Sequence, residues 1–122
     1  MVPAFEGVFS VLPTPFTPDD AVDTAGLKKI IDLFLSADVN GFTALGVTSE
    51  VARLTERERS IVLETVVGHV AGRVPVVVGT SAEGFKTCIE FTRAAAAAGA
   101  PAVMISPPRM PKLNSDAVGS HY

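Results

Sequence analysis

Residues 42–58 read FTALGVTSEVARLTERE and combine a strand, a turn and the start of a helix in immediate succession. The apolar run at the beginning is typical of a buried strand, and the acidic stretch at the end is typical of a helix start. A small turn that carries hydroxyl groups lies between them, made of Gly46, Val47, Thr48, Ser49 and Glu50. Such a turn presents backbone N–H groups and a hydroxyl at the carboxyl end of a strand, where α/β proteins bind small anions and carboxylates.

Other segments of the chain resemble the beginning of this stretch. They are short, nearly continuous in apolar residues, and typical of strands buried on both faces of a parallel sheet. Together with the first, the predicted strands are 8–12, 42–47, 74–79 and 102–106.

The segments between these strands have the periodicity of amphipathic helices. The first helix is predicted to begin at Asp23 or Thr24 and to end near residue 37. The second begins at Thr55, which forms a capping box with Glu58, and stops near Gly72. The third begins within 82–85 and ends at Gly99, and it contains Cys88, which we interpret as a core residue.

The alternation of strands and helices, at about 30 residues per unit, indicates parallel strands joined by right-handed crossovers. Two α/β architectures fit this pattern: a doubly wound sheet, or part of a TIM-type (βα)8 barrel. A fourth helix would start at Asn114 or Ser115, but the sequence stops at Tyr122. A complete barrel takes about 200 residues or more, so we expect a chain truncated in its fourth helix, with residues 1–122 forming the first half of a single barrel.

Composition narrows the classes of function. The 122 residues are 48% hydrophobic and 19% charged, which is typical of a globular domain. A net charge of -3 gives no support for binding nucleic acid or an anionic membrane. We find no membrane span and no secretory signal, and the single cysteine fits a reducing compartment, so a cytoplasmic protein is expected.

Two kinds of site are not supported by the sequence. Residues 79–87 read GTSAEGFKT and approach a phosphate-binding loop, but Phe85 separates Gly84 from Lys86, so the pattern fails. No Cys, His, Asp or Glu cluster has the spacing of metal ligands, and a metal site is not predicted.

The sequence contains four lysines, and none of them is in a predicted strand. They are Lys28, Lys29, Lys86 and Lys112.

Several motifs in this order and spacing resemble the dihydrodipicolinate synthase / N-acetylneuraminate lyase family. They are Thr14-Pro15-Phe16, the turn 46–50, Leu54-Thr55, the segment 75–80 and Ser106-Pro107-Pro108. The resemblance covers essentially the whole chain but only the first half of that family's barrel. It implies a half barrel of four strand–helix units.

The resemblance also implies a chemistry: a class I aldolase or lyase that forms a Schiff base with pyruvate or another 2-keto acid. The lysine and the relay tyrosine of the family would lie beyond Tyr122, so no catalytic residue is expected in this chain. Thr48 would bind the keto-acid carboxylate through its hydroxyl and N–H, helped by the N–H of Ser49. The imine mechanism uses a lysine of the protein, and no cofactor is predicted. The family tends to form tetramers, which implies a homo-oligomer for the full-length protein.

Two departures from the family's pattern bear on the substrate. Val47 occupies the position of a second hydroxyl in the turn, and Arg109 occupies the position of a relay tyrosine. Valine cannot transfer a proton, and arginine only donates hydrogen bonds. Arg109 would instead bind a carboxylate of a longer substrate, pair with an acid across a subunit contact, or remain a solvated loop residue. The second substrate and the direction of the reaction stay open.

Two alternatives come from other classes of protein. One is a non-catalytic half barrel that associates with another chain, and the other is a small doubly wound domain that binds a ligand. Strand order separates them, because a doubly wound sheet reverses its order and a half barrel does not.

Overall fold

The computed structural model describes residues 5–46, 51–82 and 84–106, apart from the side chain of Ala52. The strands are β1 (Phe9–Val11), β2 (Gly41–Ala44), β3 (Val76–Gly79) and β4 (Ala102–Met104). The helices are α1 (Thr24–Ser36), α2 (Glu56–Val70) and α3 (Phe85–Ala97), and a short 3-10 helix (Val51–Arg53) precedes α2. These strands and helices are confirmed, although each strand is shorter than its apolar run. The predicted fourth helix, with Asn114 or Ser115 as its cap, lies outside the described residues.

The four strands form one parallel sheet in the order β1-β2-β3-β4. Phe9 pairs with Gly41, and corresponding pairs join β2 to β3 and β3 to β4. No reversal of strand order occurs in this sheet, so the doubly wound alternative is wrong. The fold is the half barrel that the sequence predicts.

The two faces of the sheet differ in burial. On the face that the helices cover, the residues of the two central strands are buried: Phe42, Ala44, Val76 and Val78. The opposite face carries the register partners Val11, Thr43, Val77 and Ala102, which are exposed or half-buried. We call this second surface the inner face. The prediction of burial on both faces is therefore wrong for the described sheet, because only a closed barrel fills its inner face with side chains from all eight strands.

The helices on the outer face complete the core. α1 packs against α2, and both contribute side chains that are at most 1% exposed, including Leu27, Ile31, Val66 and Val70. Cys88 of α3 is buried, as predicted. None of the described helices has the length and apolarity needed to span a bilayer.

Side-chain caps explain where α1 and α2 begin. The carboxylate of Asp23 accepts a hydrogen bond from the N–H of Gly26, 2.9 Å away. Thr55 and Glu58 form the predicted capping box: the Thr55 hydroxyl accepts from the Glu58 N–H at 3.1 Å, and the Glu58 carboxylate accepts from the Thr55 N–H at 2.9 Å. Each bond satisfies an N–H group that has no partner within its own helix.

The end of α2 is tied to α1 by a pair that the sequence did not reveal. His69 Nε2 lies 2.7 Å from an Asp32 carboxylate oxygen.

Arg73 follows the left-handed Ala71 and caps the end of α2. It donates to the carbonyl oxygen of Val70 at 3.0 Å and to that of His69 at 2.6 Å. These bonds satisfy carbonyls of the last turn, which have no partner within the helix.

We expect Thr55→Ala to lower the free energy of unfolding by about 1 kcal/mol, because the N–H of Glu58 loses its acceptor. Urea unfolding measures the effect. Ser60→Ala is the matched control, since Ser60 is an exposed residue of the same helix, and its effect should stay within about 0.5 kcal/mol. Equal losses in the two variants would contradict the role of the cap.

Candidate functional site

The carboxyl ends of the four strands lie at one end of the half barrel, and barrels carry their sites at that end. The residues predicted to bind a ligand there are Val47, Thr48, Ser49 and Arg109, and all four lie outside the described residues. Their roles stay predictions. The structure describes the frame on which the turn 46–50 begins.

The entrance to this turn is a buried, tightly bent segment. Leu45 is 2% exposed and has a φ of 58°, a left-handed conformation that is uncommon outside glycine. Gly46 is buried, and a Cβ built on it would lie 3.6 Å from Val11 Cγ1, 3.8 Å from Thr43 Cγ2 and 4.0 Å from Met104 Cε. These three side chains belong to the inner face of β1, β2 and β4. The predicted binding turn therefore begins over the inner face, at the carboxyl ends of the strands.

The end of β3 approaches the same entrance very closely. A Cβ on Gly79 would lie 2.3 Å from the carbonyl oxygen of Leu45 and 3.0 Å from its carbonyl carbon. Both atoms are backbone, so a side chain at residue 79 has no flexible neighbour to displace. Glycine is required here by space, a reason that the sequence alone does not show.

Arg59 connects α2 to the end of β3, and the sequence analysis missed it. Its Nη2 donates to the carbonyl oxygen of Gly79 at 3.0 Å, and its guanidinium lies 3.8 Å from the centre of the Phe91 ring. Arg59 is only 8% exposed. Burial lowers the pKa of its guanidinium, while the charge of Glu56 raises it. A sequence signal existed, because Arg59 falls on the buried face of α2, at helical spacing from Val62, Leu63 and Val66.

Hydroxyl groups connect β3, α3 and β4. The Thr92 hydroxyl lies 2.8 Å from the carbonyl oxygen of Cys88 and 3.0 Å from the fully buried Thr80 hydroxyl. The N–H of Thr80 donates to the carbonyl oxygen of Met104 at 3.0 Å, and Ser81 Oγ accepts from the N–H of Ser106 at 2.7 Å. The hydroxyls of the segment that approaches a phosphate loop therefore hold the strand ends together. α3 begins without a side-chain cap, because its cap residue is Gly84.

The loop after β1 is held in place by its own backbone. Phe16 and Val22 form an antiparallel bridge, and the Pro15 carbonyl accepts from the N–H of Asp23 at 2.9 Å. Thr14 is 6% exposed, and its Oγ1 has no hydrogen-bond partner among the described residues. The loop connects β1 to the first helix cap and contributes a buried polar atom near the strand ends.

Among the residues that the structure describes, the lysines and the potential metal ligands form no further site. Lys28 and Lys29 are exposed on α1, Lys86 is exposed on α3, and Lys112 lies outside the described residues. Within the described ranges, no three His, Cys, Asp or Glu residues are placed to hold a metal ion. A groove of about 600 Å³ is lined by Asn40, Pro75 and Pro101, at the amino ends of the strands. Barrel chemistry is located at the opposite end, so the volume of this groove does not identify it as the site.

These features define the class of protein: half of a parallel βα barrel, with its candidate site at the carboxyl ends of the strands. Residues 4–122 match the Dihydrodipicolinate synthetase family. The chain belongs to this family.

Known relatives agree with this membership. The chain is 41% identical, over 94% of its length, to a 4-hydroxy-tetrahydrodipicolinate synthase of Sorangium cellulosum. A prophage protein of the dihydrodipicolinic acid synthase family from E. coli K12, solved in complex with pyruvate, is 30% identical over 96% of this chain, with a TM-score of 0.90. The dihydrodipicolinate synthase of Bacillus clausii is 31% identical over 94%, with a TM-score of 0.86.

The matches cover much less of the relatives than of this chain. The chain spans 38% of the Sorangium cellulosum protein, 39% of the E. coli K12 protein and 39% of the Bacillus clausii protein. The four strands in the order β1-β2-β3-β4 correspond to the first half of an eight-stranded barrel.

We expect Gly79→Ala to lower the free energy of unfolding by about 1–3 kcal/mol, because the new Cβ collides with the Leu45 carbonyl and the backbone must move. Chemical denaturation measures the loss.

Gly68→Ala is the control for this substitution. Gly68 lies within α2, and a Cβ there meets nothing within 4 Å. Alanine should stabilise the helix by about 1 kcal/mol at that position. A stabilising effect at both positions would disprove the close approach at Gly79.

Proposed function

We propose that this chain is the N-terminal half of a class I lyase or aldolase that forms a Schiff base with pyruvate or a related 2-keto acid. The observation that carries the proposal is the position of Gly46 over the inner face, at the carboxyl ends of the strands, in a chain of this family. Barrel enzymes bind their substrates at that end. The E. coli K12 relative solved with pyruvate supports the class of substrate.

In this proposal, the turn 46–50 forms the pocket for the keto-acid carboxylate. Thr48 donates hydrogen bonds from its hydroxyl and its backbone N–H, and Ser49 donates from its N–H. Each bond to the carboxylate is charge-assisted and contributes about 1.5–3 kcal/mol. Val47 contributes an apolar wall in place of a hydroxyl and transfers no proton.

The covalent chemistry belongs to residues outside this chain. The proposed Schiff-base lysine and relay tyrosine lie beyond Tyr122, and the three described lysines are exposed on helices. A lysine that acts as a nucleophile is desolvated in an apolar pocket or lies beside another cationic group, and an exposed helical lysine has neither environment. Arg109, at the position of a relay tyrosine, is proposed to bind a second carboxylate of a longer substrate. The full-length protein is proposed to be a cytoplasmic homo-oligomer, with a tetramer as in the family.

One observation favours a second candidate, a half barrel that associates with another chain. β1 and β4 are the edge strands of the described sheet, and their last residues, Val11 and Met104, are 41% and 43% exposed. Unpaired edges with apolar surface favour association. Analytical ultracentrifugation tests this candidate: a monodisperse monomer would argue against it.

We expect Thr48→Val to weaken pyruvate binding by about tenfold or more, because one charge-assisted hydrogen bond is lost while the size of the side chain is kept. Titration of the ¹⁵N-labelled protein with pyruvate measures the affinity. Ser49→Ala is the matched control, since it keeps the backbone N–H that the proposal uses, and it should bind pyruvate as the unmodified protein does. Equal affinities for all three proteins would contradict the carboxylate pocket.

Incubation of the 122-residue chain with pyruvate and borohydride should give no pyruvyl adduct, because the described lysines are exposed on helices and none lies in the apolar pocket that activates an amine as a nucleophile. Intact mass spectrometry detects such an adduct directly. Any adduct on Lys28, Lys29, Lys86 or Lys112 would overturn this expectation, and a full-length relative serves as the positive control.

A further inference from the structure

Arg59 lies at the junction between the helices and the candidate site. Its guanidinium is buried against the Phe91 ring and donates to the carbonyl oxygen of Gly79, twenty positions along the chain. A buried guanidinium needs an acceptor, and the acceptor here is a carbonyl at the end of a strand. The hydrogen bond fixes the end of β3 relative to α2.

The contact continues from Gly79 to the binding turn. Gly79 adjoins the carbonyl of Leu45 so closely that no side chain fits between them. Leu45 in turn holds a left-handed conformation immediately before Gly46, over the inner face. A displacement of the β3 end is therefore transmitted through backbone atoms to the start of the turn 46–50. Close-packed interiors transmit such strain because they contain few voids that absorb it.

We propose that Arg59 is a positioning residue: through its hydrogen bond to Gly79 it sets the place of Leu45 and Gly46, where the turn proposed to bind the keto-acid carboxylate begins. This inference rests on the proposed function, since it names the support of the same pocket. Arg59 itself does not contact the substrate in this role. A binding group held by a buried, hydrogen-bonded support keeps its geometry. A small displacement of such a group lowers its affinity for the ligand.

Two substitutions separate positioning from packing. Arg59→Met keeps a long side chain over Phe91 but removes the donor, whereas Arg59→Lys keeps a cationic donor with poorer geometry. Positioning through the hydrogen bond predicts that Arg59→Met weakens pyruvate binding by about tenfold and that Arg59→Lys has a smaller effect. Arg57→Met is the control, because Arg57 is an exposed residue of the same helix, and it should leave the affinity unchanged.

A second measurement on the same ¹⁵N-labelled proteins does not depend on pyruvate. The amide resonances of Gly79, Thr80, Leu45 and Gly46 should shift in Arg59→Met, and those of α1 should not. Gly79→Ala should shift the resonances of Leu45 and Gly46 as well, because it disturbs the same contact from the other side.

The outcomes distinguish this inference from the proposed function. Unmoved Leu45 and Gly46 resonances in Arg59→Met would overturn the positioning role, and so would shifts spread evenly over the whole chain. A larger effect in Arg59→Lys than in Arg59→Met would do the same, because it would indicate a packing role. If the unmodified chain does not respond to pyruvate but the resonances move as described, the proposed function fails and the positioning of the turn stands.

Discussion

The close approach of Gly79 to the Leu45 carbonyl is the constraint on which the candidate site depends. β2 and β3 are neighbouring strands of a parallel sheet, so the chain leaves both strands at the same end of the sheet. The absence of a side chain on Gly79 leaves room for the Leu45 carbonyl, and the left-handed Leu45 then directs the chain into Gly46. A side chain at residue 79 would separate the two ends and move the start of the turn away from Val11 and Met104. The position of Gly46, where the predicted binding turn begins, thus follows from a close approach between the backbones of Gly79 and Leu45.

Polar side chains around this contact hold the strand ends to their helices and to one another. Arg59 of α2 donates a hydrogen bond to the end of β3. The hydroxyls of Thr92 and Thr80 join α3 to the end of β3, and Ser81 joins that end to Ser106. The segment that approaches a phosphate loop therefore has a structural role at the end of β3.

Much of the fold could be predicted because its signals are local. The capping box of Thr55 and Glu58 and the cap at Asp23 set helix starts that the structure confirms. The exposure of the inner face was not predicted, because a continuous apolar run does not show which of its two faces the helices cover. Arg59 was missed because a charged residue is expected in solvent, although helical spacing placed it among buried residues. The roles of Thr48 and Arg109 stay predictions, because residues outside the described ranges carry them.

The proposed division of labour between the two halves of the barrel explains why rigidity matters here. In the proposed reaction, one half binds the carboxylate of the keto acid and a lysine from the other half attacks its carbonyl carbon. The carboxylate and the carbonyl carbon are adjacent in every 2-keto acid, so an error in the position of the bound carboxylate becomes an error in the approach of the amine. Misplacement of reacting groups by about 1 Å costs as much as a hundredfold in rate. A turn anchored through Gly79 to the buried Arg59 meets this demand better than a turn held only by exposed loop contacts, because buried, hydrogen-bonded supports leave few alternative arrangements.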